Sequence, residues 1–291
     1  YEIKTGSTNT IIVTEDHPVY SAVAHQWRKD NRNNYDFIKE GFIKAKTLKK
    51  IFDKCDKWNK DYCMMKIPKV KGYIGKQWLT PETAYQLGLY FLKREPNPFQ
   101  SEELSDKYDY ENVPQEVMFN EDDEIVKAFL RGYFQHGRIN VYRNVAEIQV
   151  SSESKAYQIQ QLWARIGVYA IVKSDGENTI VKLKDDKALE IIVVEKEDDG
   201  SWSHRMSFAK KYTDDGIYVG ITTIKEKNYK GMVYDLTTSC HTFTVNNLAI
   251  HNCGNRTGKD RFSNMAGIIY FVEWLNENRH RDHPDIVPSV Y

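Results

Sequence analysis

The chemistry that this chain could perform on itself is concentrated in the run His251-Asn252-Cys253. The side-chain amide of Asn252 can attack its own backbone carbonyl carbon, which closes a five-membered succinimide and breaks the bond to Cys253. His251 and His241 titrate near neutral pH and can move the protons that this cyclisation requires. Cys253 adds a thiol nucleophile on the far side of the same bond. Because the attack is intramolecular, it gains the advantage of proximity and needs no external substrate.

The elements that would position these residues are strands. Apolar alternation predicts one strand at residues 233–237. It also predicts a hairpin in which 242–245 is joined to 248–250 through an Asn-Asn turn. Such a hairpin would hold the His-Asn-Cys tip in a fixed position. An ordinary hairpin that happens to contain two histidines would carry the same pattern.

A second motif near the start of the chain changes this interpretation. The segment 10–19, Thr-Ile-Ile-Val-Thr-Glu-Asp-His-Pro-Val, places Thr14 and His17 three residues apart. The segment 232–253 contains Val-Tyr-Asp-Leu, then His-Thr-Phe, then His-Asn before Cys. Together the two segments resemble the splicing motifs of inteins, in the order that inteins have them. A large insertion separates them, and the resemblance spans residues 1–252.

The resemblance implies a mostly β, discontinuous horseshoe of the Hint type. It implies catalytic roles for seven residues: Thr14, His17, Asp235, His241, His251, Asn252 and Cys253. At the upstream splice junction, His17 with Thr14 would polarise the scissile amide and protonate its departing nitrogen.

At the downstream junction, the resemblance implies a sequence of three steps. Asp235 would help to activate the thiol of Cys253, which attacks the upstream thioester and forms a branched intermediate. Asn252 would then cyclise, with His251 polarising the carbonyl or donating to the leaving amine and His241 assisting. The freed amine of Cys253 would close a native peptide bond by an acyl shift.

Each of these residues also has an ordinary explanation. Thr14 is β-branched and suits any strand, His17 before a proline fits a turn, and Asp235 fits the edge of a strand.

A structural zinc ion is a further alternative, because Cys240, His241, His251 and Cys253 include good zinc ligands. Neighbouring residues of a strand point to opposite faces, however, so Cys240 and His241 would not readily share one ion. No metal site is therefore predicted.

Composition is compatible with a soluble globular chain. Lys+Arg and Asp+Glu are balanced at 41 each, so no net charge directs the chain to nucleic acid or to a membrane. We find no apolar run long enough to span a bilayer and no signal peptide. Four cysteines in 291 residues are too few for a disulfide framework, and Cys253 must stay reduced to react. We therefore expect a reducing, cytoplasmic location in a bacterial or phage-infected cell.

The middle of the chain has an α+β pattern. Helices are predicted at 80–92, 122–134, 154–166 and 185–194, and strands at 148–151, 169–173 and 179–184. The run Phe-Leu-Arg-Gly-Tyr-Phe from residue 129, with its surroundings from 113 to 168, is similar to LAGLIDADG homing endonucleases, which are often nested inside inteins. The similarity implies two helices packed side by side, each ending in an acidic residue that holds a catalytic divalent metal ion.

The acidic residues that this family uses are missing at the matching positions. The first helix has Lys93 where an aspartate is expected, with Glu95 two residues later, and the second ends in Gln135-His136 and is one residue short. An ammonium group cannot bind a metal ion and would repel it. We therefore expect an eroded, inactive nuclease, with an active Mg²⁺-dependent endonuclease as the alternative. Two interpretations are open for the arginines of this segment. They give weak affinity for DNA, or they are ordinary solvated charges at the surface: Arg131, Arg138 and Arg143.

The last segment resembles a phosphate-binding loop that opens a helix. The matching residues are Gly254, Thr257, Gly258 and Lys259. Asp260 departs from the pattern, which normally has Ser or Thr there. The loop is similar to the variant loop of phage terminase large subunits, which would make 253–291 a C-extein. Without a preceding strand the loop is not expected to hydrolyse ATP, and this disfavours an ATP-binding module as the function of the chain.

The sequence thus predicts a Hint fold at 1–70 and 200–252, a LAGLIDADG-like insertion at 71–199 and a C-extein at 253–291. Residues 42–50 and 62–68 are assigned to the β-rich first part. Inteins begin with Cys, Ser or Ala, whereas this chain begins with Tyr1. We therefore expect splicing to require an N-terminal intein fragment with its N-extein as partner, and no cofactor. A hedgehog-like autoprocessing domain is disfavoured by the His-Asn-Cys ending.

Overall fold

The computed structural model describes residues 1–7, 9–29, 32–55, 61–75, 78–92, 112–140, 145–174, 177–192, 209–230, 238 and 242–252. Six of the predicted site residues lie in these ranges: Thr14, His17, Gln135, His136, His251 and Asn252. The others lie outside the described residues: Lys93, Glu95, Asp235, His241, Cys253, Gly254, Thr257, Gly258 and Lys259.

Over the described residues the fold is mostly β, as predicted. The strands are β1 (Glu2–Thr5), β2 (Thr10–Ile12), β3 (Pro18–Lys29), β4 (Arg32–Lys44), β5 (Asp61–Pro68), β6 (Arg138–Asn140), β7 (Val145–Val150), β8 (Ala170–Ser174), β9 (Thr179–Leu183), β10 (Lys210–Thr213), β11 (Gly216–Lys225), β12 (Thr242–Val245) and β13 (Leu248–His251). The helices are α1 (Ala45–Lys54), α2 (Pro81–Leu92), α3 (Gln115–Met118), α4 (Asp123–Phe134), α5 (Glu153–Arg165) and α6 (Asp186–Ile192).

One sheet draws its strands from both ends of the chain. It has nine strands in the order β12-β13-β3-β5-β11-β1-β2, with β10 added on β11 and β4 on β3. The paired strands run antiparallel. Inward-facing apolar residues such as Ile3, Val19, Met65, Val219 and Ile250 form its core. Residues far apart in sequence, before 68 and after 210, therefore share one hydrogen-bonded scaffold.

One predicted strand is wrong, because Ala45–Lys54 forms helix α1. The alternation of apolar and polar residues in 42–50 fits a strand up to residue 44. From there, the buried Ala45 and Leu48 and the half-buried Ile51 and Phe52 recur every three or four residues. This is the spacing of one helix face, and the lysines between them remain at the surface.

A second sheet has the order β6-β7-β9-β8 and is also antiparallel. Helices α2, α4, α5 and α6 contribute to the core beneath it, in which Phe129, Phe134 and Trp163 are fully buried. Two helices begin within one residue of their predicted starts at 122 and 154, and each start has a capping side chain. Asp122 accepts from the Glu124 N–H at 2.9 Å, and Ser152 accepts from the Lys155 N–H at 3.2 Å.

Helices α2 and α4 cross with their backbones in contact. A Cβ atom on Gly88 would overlap the carbonyl oxygen of Phe129, and one on Gly132 would overlap the carbonyl oxygen of Tyr85. Each contacted residue lies three positions before the glycine of its own helix, so the crossing is reciprocal. Glycine at both positions is what lets the helices approach this closely.

The two sheets contact each other through α5 and β8. Ala164, Tyr169 and Ile171 pack into the core of the nine-stranded sheet. Among the helices of the described residues, none combines the length and apolar character needed to cross a membrane.

Candidate functional site

The spacing of Thr14 and His17 corresponds to a β-turn at the entrance to β3. The backbone N–H of His17 donates to the carbonyl oxygen of Thr14 at 3.2 Å, which is the bond that closes a four-residue turn. Glu15 and Asp16 are exposed at the tip, whereas His17 is only 4% exposed. Pro18, which has no N–H to donate, begins β3. The turn therefore directs the imidazole inward.

The turn is fastened to the start of α1. The carboxylate of Asp16 pairs with Lys46 at 2.9 Å and with Lys44 at 3.1 Å. Hydrogen bonds from these two lysines lower the pKa of Asp16. The Ala45 N–H donates to the carbonyl oxygen of His17 at 3.0 Å. The helix that the sequence did not predict is thus one of the elements that position His17.

Strand β13 brings the C-terminal motif to His17. It pairs antiparallel with β3 through Ile250 and Val19. Continuing this register by two residues sets Asn252 opposite His17. The predicted hairpin β12–β13 is confirmed, and its strands pair from Thr242 opposite His251 to Val245 opposite Leu248.

His17 is neutral at physiological pH. Burial, and to a smaller degree the neighbouring His251, lower its pKa from 6.5 to about 4, because desolvation disfavours the charged imidazolium. A neutral imidazole has one N–H donor and one acceptor nitrogen. His17 can therefore donate and accept hydrogen bonds and orient a polar group without presenting a permanent positive charge.

The imidazole of His251 contacts the carbonyl of the bond that is predicted to break. Its Nδ1 atom lies 2.6 Å from the backbone carbonyl oxygen of Asn252. With a proton on Nδ1, the ring donates to that oxygen. The ring also packs edge-on against Phe42, with a centroid distance of 4.8 Å and an interplanar angle of 77°. This packing holds the imidazole where it polarises the carbonyl.

Asn252 itself is 4% exposed. In such a poorly solvated position, a hydrogen bond to the carbonyl oxygen strengthens as negative charge develops there. The side-chain amide of Asn252 needs no diffusion to reach its own carbonyl carbon. The arrangement can therefore support attack on that carbon with imidazoles available for proton transfer.

The structure brings together three predicted residues where β3 begins and β13 ends: His17, His251 and Asn252. Thr14 is joined to His17 by the backbone hydrogen bond of the turn. Because Asp235, His241 and Cys253 lie outside the described residues, their predicted roles stay predictions. The zinc alternative also stays open, since it needs Cys240 and Cys253.

The predicted positions of a nuclease metal are only partly described. Gln135 and His136 are exposed and follow α4 directly. Lys93 and Glu95 lie outside the described part of the chain, so the convergence of the two helix ends is untested.

Several residues around the site were not singled out by the sequence. Phe42 lies on β4 and reaches His251 only because both flank β3. Asn247 was recognised as a turn residue, but its side chain bonds to Gln160 on α5 at 2.8 Å. No local pattern signals either contact, because each joins segments distant in sequence.

No protein-family model matches this chain. An A-type ATP synthase subunit of Pyrococcus horikoshii is 25% identical over 172 residues, which cover 54% of this chain and 17% of that relative. The chain thus spans about a sixth of the length of this relative. The similarity does not assign the chain to a family, and ATP synthesis describes the relative alone.

Proposed function

We propose that residues 1–252 form a protein-splicing domain of the Hint type that breaks the bond between Asn252 and Cys253 by cyclisation of Asn252. The observation that supports this most directly is the 2.6 Å contact between His251 Nδ1 and the Asn252 carbonyl oxygen, with the neutral His17 in the turn that leads into β3.

In the proposed reaction, Asn252 Nδ2 bonds to the backbone carbonyl carbon of Asn252. His251 stabilises the negative charge that develops on the carbonyl oxygen. The proton lost from Nδ2 is balanced by the proton that the nitrogen of Cys253 takes up as it leaves, so the step needs a proton relay and no net base. The neutral imidazole of His17, which has one N–H donor and one acceptor nitrogen, is the proposed relay. The products are a chain ending in a succinimide and a peptide that begins with the free amine of Cys253.

Complete splicing would add the steps that the resemblance to inteins implies. The partner would be an N-terminal intein fragment with its N-extein, whose thioester the Cys253 thiol attacks, with Asp235 and His241 assisting. No cofactor enters this scheme, because each step exchanges acyl groups and protons within the chains. The match of half of this chain to a sixth of a longer protein fits a module inserted into unrelated hosts.

The middle of the chain is, in our proposal, a LAGLIDADG-like insertion that has lost nuclease activity. The reciprocal crossing of α2 and α4 at Gly88 and Gly132 supports the side-by-side helix pair of that family. In the sequence, Lys93 and Gln135-His136 stand where the family has carboxylates that hold Mg²⁺, and Glu95 is two residues past the matching position.

The helix crossing also favours the second candidate, an active endonuclease. Incubation of the chain with Mg²⁺ and DNA that carries an uninterrupted terminase-like gene would distinguish the two. We expect no site-specific cuts, and a discrete pair of fragments would establish the endonuclease instead.

The cleavage is tested with the purified full chain. We expect mass spectrometry to show slow release of the 253–291 peptide, and the remaining chain to be lighter by one water than the hydrolysed acid, because it ends in a succinimide. Asn252→Ala should abolish the release. Release that continues in Asn252→Ala, or an unmodified chain that stays intact, would contradict the proposal.

A further inference from the structure

The β12–β13 hairpin is held at its turn by the inserted segment. Asn246 and Asn247 both have positive φ, +47° and +63°, which is typical of the tight two-residue turn of a hairpin. The side-chain Nδ2 of Asn247 donates to the carbonyl oxygen of Tyr157 at 2.7 Å and to Oε1 of Gln160 at 2.8 Å. Both acceptors lie on α5, so the turn is tied to a helix of the insertion.

Gln160 is fully buried, and each polar atom of its side chain is bonded twice. Its Oε1 accepts from Asn9 at 2.7 Å and from Asn247, and its Nε2 donates to Oδ1 of Asn9 at 3.0 Å and to the Ala170 carbonyl oxygen at 2.8 Å. A side-chain amide has two N–H donors and two acceptor positions, so the four bonds use the whole hydrogen-bonding capacity of Gln160. Asn9, also fully buried, donates in addition to the carbonyl oxygen of Asn246 at 2.7 Å.

A second contact ties the same loop of the nine-stranded sheet to the insertion. The hydroxyl of Ser7 donates to the carbonyl oxygen of Val172 and accepts from its N–H, both at 2.8 Å. Ser7 and Asn9 lie between β1 and β2, and Val172 is on β8. In a buried network, every donor and acceptor that has a partner restricts the geometry. A shift of one side chain would leave a buried polar group without its hydrogen bond.

The other end of β13 carries the proposed reaction. Asn247 is separated from Asn252 by a short strand of about 17 Å at most. This strand pairs with β12 along its length and with β3 at Ile250. We therefore expect a displacement of the turn to reach His251 and Asn252.

We propose that Gln160 is a positioning residue for the cleavage at Asn252, acting through Asn247 and the hairpin, so that the reaction depends on the insertion. This inference rests on the proposed function. It does not assign Gln160 any contact with the reacting atoms.

The turn itself offers a matched pair of variants. Asn247→Gly keeps the positive φ without strain and removes the two bonds to α5. Asn246→Gly keeps the turn equally well, and removes only a 2.8 Å bond to the Thr10 carbonyl oxygen within the nine-stranded sheet. We expect release of the 253–291 peptide to be about tenfold slower in Asn247→Gly, because about two hydrogen bonds that position the hairpin are lost. In Asn246→Gly we expect the rate of release to be close to that of the unmodified chain.

The helix offers a second pair. Gln160→Ala should slow release at least as much as Asn247→Gly. Gln158→Ala removes bonds to Val113 and Asn112, at 2.6 and 3.1 Å, that remain within the insertion, and should leave release unchanged. Equal rates in the two members of either pair would overturn the inference.

A spectroscopic readout separates positioning from general stability. In the uncleavable Asn252→Ala chain the backbone carbonyl at residue 252 is retained, so the ¹⁵N resonance of His251 Nδ1 reports its hydrogen bond directly. Adding Asn247→Gly should shift this resonance toward that of an imidazole exposed to water, while Asn246→Gly should not. An unchanged resonance in both would contradict the inference even where a variant lowers the unfolding temperature.

The two proposals fail differently. If release is absent or survives Asn252→Ala, the proposed function is wrong, and the resonance test of the hairpin still stands. If release depends on Asn252 but not on Asn247 or Gln160, the inference is wrong and the proposed function stands.

Discussion

The Nδ1 atom of His251 lies 2.6 Å from the carbonyl oxygen of Asn252, the residue that follows it. His251 is the last residue of β13, and Asn252 follows the strand. The turn that leads into β3 adds His17, whose pKa is lowered by burial and by His251. The two imidazoles therefore come from opposite ends of the described chain.

Removal of the His251 imidazole should slow the cleavage without abolishing it. We expect His251→Ala to reduce the rate of peptide release by about 10²-fold, the usual effect of losing one donor to a developing oxyanion. His25→Ala is the control, because His25 is on the same sheet but pairs with Asp61 at 2.9 Å, away from the junction. Time courses by mass spectrometry would give both rates, and equal rates would exclude His251 from the reaction.

His17 should make the folded chain sensitive to acid. Its pKa is about 4 in the folded state and 6.5 in an ordinary imidazole, so the unfolded chain binds more protons between these values. Stability is then fully present above pH 6.5 and is lost as the pH falls toward 4. Near pH 5 we expect the free energy of unfolding to be about 2 kcal/mol lower than at neutral pH on account of this residue.

Urea titrations of the uncleaved Asn252→Ala chain at the two pH values would measure this difference. Adding His17→Gln should remove it, whereas adding His136→Gln, at an exposed position, should not. A pH effect that persists in the His17→Gln chain would have to come from other groups.

The helix crossing of the insertion should not tolerate a methyl group. Gly132→Ala places a Cβ against the carbonyl oxygen of Tyr85, which is backbone and cannot move aside. We expect a loss of about 3 kcal/mol in the free energy of unfolding, at the upper end of overpacking costs. Gly75→Ala is a suitable control, since its Cβ would meet only the side-chain Oε1 of Glu121, at 3.3 Å. Comparable unfolding midpoints for the two variants would show that α2 and α4 do not pack as described.

Metal removal should leave the cleavage unchanged. The proposed cyclisation needs only proton transfer and a hydrogen-bond donor, so chelation by EDTA or phenanthroline is expected to have no effect on peptide release. A changed rate after chelation, restored by added zinc, would instead support the alternative in which Cys240, His251 and Cys253 hold an ion.

Patterns of nearby residues predicted those helices and strands that nearby residues determine. The local pattern predicted α4 and α5 within one residue of their observed starts, and the alternation around the Asn246-Asn247 pair predicted the hairpin. Helix α1 was not predicted, because its first residues continue the alternation of β4. It forms a helix whose face with Ala45 and Leu48 is buried against the sheet. Propensity is a weak guide where tertiary packing supplies most of the stability.

The sequence by itself determined the candidate reaction, since an Asn followed by Cys and preceded by His carries its chemistry in adjacent residues. It also offered a turn at His17 as the ordinary explanation of a histidine before proline, and one backbone hydrogen bond closes that turn. Only the tertiary structure decided that β13 pairs with β3, that Phe42 packs against His251 and that Gln160 bonds to Asn247 at the turn of the hairpin. These relationships join residues distant along the chain, and their geometry is set by strand register and shared burial, which no short segment encodes alone.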